Sequence, residues 1–409
     1  MSILSLPEAA WRESDGLKAI IAALWDEGEG PRVVGGAVRD SLLGCPVSDI
    51  DLATKLLPAA VIERLEAARI KAIPTGIDHG TITAVACGQT FEITTLRRDV
   101  STDGRRATVA FSQDWREDAA RRDFTINALF AKPISGEIFD YFGGLEDLKN
   151  NHLRFIGDPV QRINEDHLRI LRYFRFLARF GGNDADEAAL AACRNAAKSL
   201  MALSRERIAS ELLKIFDTAR PIFAVQLMID NDIFASFLPE LCDDAAAKLK
   251  RLIDREQACA SRTSSTARLL SILPLDAAVV DKVAVRLKLS NKMRVDTANR
   301  LSEQNPTAQT IRALAYSTDT GCARDAAMLF AENDDLKPCL ARLIDWNVPD
   351  FPIKGGDLIA RGLRAGPVVA KTLKAIEAAW IEEGFPDQDR AAALTDQFVA
   401  GALLAAKNV

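Results

Sequence analysis

Apolar and polar positions in the first 150 residues follow two periods. In Thr81–Leu96 (TITAVACGQTFEITTL) they alternate on either side of Cys87-Gly88-Gln89, the pattern of two strands joined by a tight turn. Arg32–Gly36 (RVVGG) reads as a short strand ending in glycines, followed by a helical AVRDSLLG, and Asp49–Ala53 reads as a second strand. Pro58 suits the first turn of a helix running to about Arg69, and an amphipathic helix is expected to open near Pro7. The polar stretch Arg97–Arg106 has no periodicity and holds the turn residues Asp103 and Gly104, so a mobile loop is expected there.

After about residue 150 the strand signals vanish, and amphipathic helices rich in Ala, Leu, Arg and Lys continue nearly to the end. The expected class is α+β, with a small α/β head over 1–150, a helical neck over 151–200, a helical body over 201–345 and a helical tail over 346–409. A length of 409 residues agrees with several domains. No run of about 18 apolar residues is present to span a membrane. The N-terminus has neither the basic start nor the apolar core of a signal peptide, which leads to an expected cytoplasmic location. Seven cysteines without a C-x-x-C pair, and three histidines, argue against a disulfide framework or a structural zinc site. The net charge of −5 does not exclude nucleic acid, because a basic stripe on an acidic protein is enough. Gln161–Phe180 carries such a stripe, with arginines at 162, 169, 172, 175 and 179 against Glu165 and Asp166.

Three segments carry candidate chemistry. In the first, Val34-Gly35-Gly36-Ala37-Val38-Arg39-Asp40 precedes Ser48-Asp49-Ile50-Asp51-Leu52. On a strand, Asp49 and Asp51 would project to one face with Ile50 turned to the core. Two carboxylates held that close call for a cation, and hard oxygen ligands select Mg²⁺, which also takes phosphate oxygens. Gly35 and Gly36 would let backbone amides approach a triphosphate, and Arg39 adds a charged donor. A lone D-x-D would be a surface turn; the glycines before it and its apolar flanks favour a strand and a site. In the second segment, Arg121-Arg122-Asp123-Phe124-Thr125-Ile126-Asn127-Ala128-Leu129, a helix would bury Phe124, Ala128 and Leu129 and leave Arg121 and Arg122 near its start. Those arginines are either solvated or meet phosphate or ribose. In the third, Asp166, Arg169, Arg172, Arg175 and Arg179 recur every three or four residues, one helical stripe. An Asp166–Arg169 surface pair would add well under about 1 kcal/mol. Four arginines on one face repel one another unless an anion neutralises them.

These residues resemble class II tRNA nucleotidyltransferases, the bacterial CCA-adding enzymes and related poly(A) polymerases of the polymerase β-like superfamily. GGAVRD with DID is similar to the family's metal motif, RRDFTINAL to its ribose motif and EDHLR to its nucleotide-selecting motif, over about residues 32–180. The resemblance implies that Asp49 and Asp51 bind Mg²⁺ and that Gly36 and Arg39 contact the nucleotide. It implies further that Arg121 or Arg122 meets ribose or phosphate, and that Asp166 and Arg169 read the base edge with Arg172 and Arg175 nearby. A carboxylate accepts from the exocyclic amine of cytosine or adenine and a guanidinium donates to the ring, whereas uracil and guanine present the opposite polarity. The implied partners are CTP, ATP and tRNA, the last gripped at its 3′ end and at its elbow. The elbow contact would fall to Ile353–Leu358 with Gly366-Pro367 and the basic residues Lys354, Arg361, Arg364, Lys371 and Lys374. Arg97–Arg106 resembles the loop associated with the step from C to A addition. Glu92 is either a third carboxylate or a solvated strand residue, and His79 reads as strand-start structure. No histidine follows His167, so the His-Asp phosphohydrolase domain of some members is not expected. A poly(A) polymerase with the same head is the nearest rival; a non-catalytic RNA-binding protein is the rival from another class. Nothing in the sequence fixes the oligomeric state.

Overall fold

The structure, a computed structural model, describes residues 5–102 and 107–407. The chain forms two compact units, Met1–Pro239 and Glu240–Val409.

The first unit is built on a seven-stranded sheet of order β3-β4-β5-β2-β1-β8-β9. Its strands are β1 (Arg32–Val34), β2 (Asp51–Thr54), β3 (Lys71–Gly76), β4 (Thr81–Ala86), β5 (Gln89–Thr95), β8 (Leu129–Ala131) and β9 (Ile138–Asp140). Only β2 and β5 run parallel; the other pairs are antiparallel. The β4–β5 hairpin forms as its alternation predicts, closed by Cys87 and Gly88 at φ 49° and 76°. Two successive residues at positive φ are what a tight hairpin turn with the sheet's own twist requires.

Helices flank this sheet: α1 (Asp15–Ala23), α2 (Gly36–Leu42), α3 (Pro58–Ala67), α4 (Trp115–Ala120) and α5 (Gly144–Lys149). No α-helix opens at Pro7; α1 begins after Ser14, whose side chain accepts from the Leu17 amide. Such a cap satisfies one of the orphan amides of a first helical turn, and proline cannot supply it. One apolar layer joins Val34, Ala53, Leu96, Trp115, Ala119, Ala128, Phe130 and Ile156.

Arg97–Arg106 differs from its expectation. Arg97–Thr102 is strand β6, paired with β7 (Ala107–Phe111) in a separate ribbon. Residues 103–106, the end of the Arg97–Arg106 stretch that resembles the loop of the C-to-A step, lie outside the described residues.

Beyond Gly157 the first unit is helical: α6 (Pro159–Glu165), α7 (Arg169–Phe180), α8 (Glu187–Ala196), α9 (Arg205–Phe216) and α10 (Pro221–Asp230). The strongly two-faced α7 buries Ile170, Leu171, Tyr173, Phe174 and Leu177 and turns its arginines the other way. Tyr173 and Phe176 stack with Phe124 and Phe155, with ring centroids 4.8 to 6.2 Å apart. Burying one such ring contributes about 1.5–3 kcal/mol, so this pile fixes α7 against the RRDFTINAL segment.

The second unit is helical throughout its described residues. It comprises α11 (Ala245–Ala258), α12 (Ser265–Ser271), α13 (Ala277–Arg286), α14 (Asn291–Leu301), α15 (Ile311–Ser317) and α16 (Thr320–Phe330), followed by α17 (Asn333–Leu343), α18 (Gly355–Ala360), α19 (Pro367–Glu382) and α20 (Gln388–Lys407). Trp380 of α19 packs against Tyr316 of α15, Phe351 and Phe385 at 5.0 to 5.8 Å. Tyr316 Oη also donates to Glu377 Oε1 at 2.6 Å. Residues 346–409 therefore share an aromatic core with α15. No helix among the described residues is long and apolar enough to cross a membrane.

Candidate active site

The site grows from the end of β1. Gly35 sits at φ 71°, and a Cβ there would lie 3.4 Å from the Asn127 carbonyl and 3.5 Å from Arg122 Nη1. Those are ordinary contact distances, so it is the positive φ that disfavours a side chain here, and the chain turns directly into α2. Arg39, one turn into α2, is buried over the Phe180 ring at 4.1 Å and donates to Asp40 and Asn127. Burial pushes its pKa down, with Asp40 opposing.

Asp51 opens β2, beside Glu92 of β5 in parallel register. The protein packed around Asp51 raises its pKa, as do the Glu92 and Asp49 carboxylates, against the pull of Arg122. Asp49 stands elsewhere than expected: it precedes the strand, exposed, with its Oδ2 accepting from Ser48. The reason lies in the ladder. β1 pairs with β2 only at Leu52 and Ala53, and the β2–β5 ladder starts at Asp51 opposite Glu92, so residue 49 is paired with neither strand. Ile50 is correspondingly half-buried rather than in the core, a role that falls to Leu52. Among the described residues none of Asp49, Asp51 and Glu92 forms an ion pair. Asp51 and Glu92 stand side by side on paired strands and Asp49 acts on Asp51 electrostatically, and hard oxygen donors of this kind suit a divalent cation.

The RRDFTINAL segment buries Phe124, Ala128 and Leu129 as expected, but not as a helix. The helix α4 comes before the arginines, Arg121 caps it, and Thr125–Asn127 is one short 3₁₀ turn leading into β8. The cause is Asp118, fully buried near the end of α4. It takes Arg121 Nε at 2.8 Å and Arg122 Nη2 at 3.2 Å, which pins both arginines at the helix end. Burial pushes the Asp118 carboxyl up, yet Arg122 and Arg121 together hold it below its ordinary value.

Asp166 and the arginines of α7 do not share one helix. Asp166 closes α6 with extended backbone (φ −150°, ψ 106°), and α7 starts at Arg169. Asp166 pairs with Arg207 of α9 at 2.8 Å, not with Arg169. Arg169 is held by Glu165 at 2.6 Å and by the carbonyls of Arg162 and Arg121. The repulsion expected along α7 is relieved from within the protein. Arg172 binds Asp123 through two nitrogens, Arg175 pairs with Glu211 at 2.7 Å and Arg179 with Asp40 at 3.3 Å. Asp123 also accepts from Asn127 and from the Phe124 amide. Burial opposes its ionisation, and Arg172 and these donors still hold its pKa down.

One open cavity of about 450 Å³ is lined by Gly36, Arg39, Asp51, Arg121, Arg122, Asp166, Arg169, Arg172 and Arg175. Every site residue expected from the sequence except Asp49 is in that lining, and Asp49 is near enough to act on Asp51 electrostatically. Gly35, the first of the two glycines read as a phosphate approach, lines it too, as do Asp123, Asn127 and Phe176, which were not singled out by sequence reasoning. Two polar side chains four apart in the mostly apolar run DFTINAL were the available signal for Asp123 and Asn127. Among the described residues, the one trio of carboxylate and thiol side chains with ligand atoms within 4.8 Å of one another lies elsewhere, at Asp296, Asp319 and Cys322. Its arrangement has a structural account. Asp319 caps α16 by accepting from the Cys322 amide, and burial pushes the thiol up to about 12.

A cavity joining the Asp51 carboxylate at a strand start to a cationic wall suits a nucleoside triphosphate, and comparison with known proteins agrees. The profile of the family described as "Poly A polymerase head domain" matches residues 31–154. A second, described as "Probable RNA and SrmB- binding site of polymerase A", matches residues 185–244. The human "CCA tRNA nucleotidyltransferase 1, mitochondrial" is 35% identical over 396 residues, 93% of this chain and 90% of that protein. The chain belongs to the CCA tRNA nucleotidyltransferase family. Among bacterial members, the CCA-adding enzyme of Lacticaseibacillus paracasei is 32% identical over 87% of this chain and 89% of its own length. The crystal structure of the Bacillus stearothermophilus CCA-adding enzyme in complex with CTP is similar at a TM-score of 0.72 and 27% identity. That match covers 96% of this chain and 98% of the other. The α+β expectation, a polymerase β-like head followed by helices, is the family's fold.

Proposed function

We propose that this chain adds C, C and A in turn to the 3′ end of tRNA without a template, using CTP and ATP and releasing pyrophosphate. One observation carries the reading: a single cavity joins Asp51 and the Gly36–Arg39 turn to Asp166 and Arg169. A nucleotide lying across it would place its triphosphate by Gly36, Arg39, Arg121 and Arg122. Its base would lie by Asp166 and Arg169. Arg122 Nε is buried and carries no hydrogen bond among the described residues.

Selection follows from what each group offers. Asp166 accepts from an exocyclic amine. Both Nη1 hydrogens of Arg169 are spent on Glu165 and the Arg162 carbonyl, which leaves Nε and part of Nη2 for a ring acceptor. Cytosine and adenine match this pair, whereas uracil and guanine do not. Asp49 and Asp51 would hold Mg²⁺, with Glu92 as a third carboxylate. The metal, when bound, would supply Lewis-acid activation of the tRNA 3′-hydroxyl and stabilise the leaving oxygen. Arg172 and Arg175 would keep the cavity wall cationic. We assign 1–150 as the head, 151–200 as the neck, 201–345 as the body and 346–409 as the tail that meets the tRNA elbow. Seven free cysteines accord with a cytoplasmic location.

The test is addition to tRNA lacking its 3′ CCA. CTP alone should extend it by two residues, ATP alone by none, and both together should complete CCA. A long adenylate tail from ATP alone would instead mark a poly(A) polymerase.

A further inference from the structure

Asp166 is an unusual place to put a base-reading carboxylate, because it lies between two helices in extended backbone and no helical turn fixes its side chain. Both of its oxygens are nevertheless tied. Oδ1 accepts from the Leu168 amide at 3.1 Å, and Oδ2 accepts from Arg207 Nη2 at 2.8 Å. Arg207 comes from α9, where Glu211 stands four residues later and pairs with Arg175 at 2.7 Å. Residues four apart share one helical face, so a single face of α9 reaches two cavity residues with charges of opposite sign. Arg207 itself is not among the residues lining the cavity.

We propose that Arg207 is a specificity-determining positioning residue, which aims the Asp166 carboxylate at the base. The inference rests on the reading of Asp166 as the acceptor for the exocyclic amine. A carboxylate accepts in the plane of its oxygens, so discrimination depends on its angle as much as on its presence. The Leu168 amide fixes one oxygen, and the Arg207 guanidinium fixes the other and hence the plane. Each oxygen retains a second lone pair for the nucleotide. Arg207 and Asp166 are both about a third exposed, at 35% and 30% of their side chains. A pair so open to water adds little to fold stability, and its consequence is geometric. Glu211, buried on the same face of α9, pairs with Arg175.

The experiment is single-turnover addition of each of the four nucleotides to tRNA lacking its 3′ end, with thermal unfolding of the same samples. Full-length wild type, Arg207→Ala, Arg207→Lys, Asp166→Ala and the Arg207→Ala/Asp166→Ala double variant are compared. Arg207→Ala should raise the KM for CTP and ATP and increase UTP and GTP incorporation, relative to CTP and ATP, by about ten-fold. Turnover at saturating CTP should stay within a few-fold of wild type, with an unchanged melting temperature. The double variant should discriminate no worse than Asp166→Ala alone, since both changes remove one device. Arg207→Lys keeps the charge with a different geometry and should recover part of the selectivity. Wild-type KM and selectivity in Arg207→Ala, alongside a selectivity loss in Asp166→Ala, would overturn the positioning role and leave Asp166 as the reader. Losses that add in the double variant would overturn it equally. Wild-type selectivity in Asp166→Ala would overturn both readings.

Discussion

Both units bury arginine–carboxylate pairs, and the pairs differ in what they leave over. In the second unit Asp325 is fully buried and takes the Ser264 amide, the Ser264 hydroxyl and Arg300 Nε at 2.9 Å. Glu256 is likewise filled by Arg268 and by the amide and hydroxyl of Thr263. These knots tie α11, α12, α14 and α16 together. In the first unit Asp118, Asp123, Glu165 and Glu211 hold Arg121 and Arg122, Arg172, Arg169 and Arg175, and all five of these arginines line a 450 Å³ cavity open to solvent. A fully coordinated buried charge is a cross-link. A row of arginines held from behind is a preorganised anion site, since its repulsion is already relieved and its donors are already aimed.

Four substitutions or conditions would break or sharpen that contrast. The largest effect belongs to the first unit: Asp51→Ala or Asp49→Ala should lower nucleotide addition by about a thousand-fold or more, as loss of metal-ion catalysis would. tRNA binding and melting temperature should stay close to wild type, as read by filter binding and calorimetry. In the second unit the outcome should be reversed. Asp325→Ala strands Arg300 and should destabilise the protein by about 3–5 kcal/mol, measured by denaturant unfolding, while turnover per folded molecule is retained.

A smaller effect is expected on the exposed face of the tail, where Lys354, Arg364, Lys371 and Lys374 stand open to solvent and Arg361 is engaged by Asp396. Replacing Lys371 and Lys374 by Gln should weaken tRNA binding and reduce the slope of log K against log salt by about one per lost phosphate contact. The KM for CTP should not change. Point substitutions are the cleaner tool, because deleting 349–409 would strip Tyr316 and Trp346 of their aromatic partners.

The smallest effect concerns acid. The Asp123 pKa is held below its unfolded value of about 3.9. Its ionised form therefore stabilises the fold above that value, and the contribution is lost as pH falls through the lower folded value. Asp123→Asn should flatten the acid limb of a melting-temperature profile below about pH 4, with little change in slope near neutrality.

Much of this was legible in the sequence, and the rest failed for identifiable reasons. The β4–β5 hairpin showed itself through alternation and a Cys-Gly turn, and α7 through its apolar stripe, because those signals are local. The strand β6 did not: Arg97–Thr102 pairs through its backbone in a two-stranded ribbon, which needs no apolar face to form. The break at Asp166 was also hidden, since Asn164–Arg169 contains neither glycine nor proline and its spacing continues that of a helix. The partners Asp118, Asp123, Arg207 and Glu211 depend on contacts across as many as 49 residues, which periodicity cannot report. Asp49 was misplaced onto the strand for a related reason: the reach of β2 is set by its neighbours rather than by its own sequence.

The central claim is that one protein surface, Asp166 with Arg169, stands where a template base would. The most direct measurement is competition among all four nucleoside triphosphates in one reaction on tRNA lacking its 3′ end, with products sequenced, for wild type and for Asp166→Ala. A good base contact is worth about 1–3 kcal/mol, so wild type should yield only C, C and A while Asp166→Ala raises U and G incorporation about ten- to a hundred-fold. Unchanged selectivity in a folded, active Asp166→Ala protein would contradict the account.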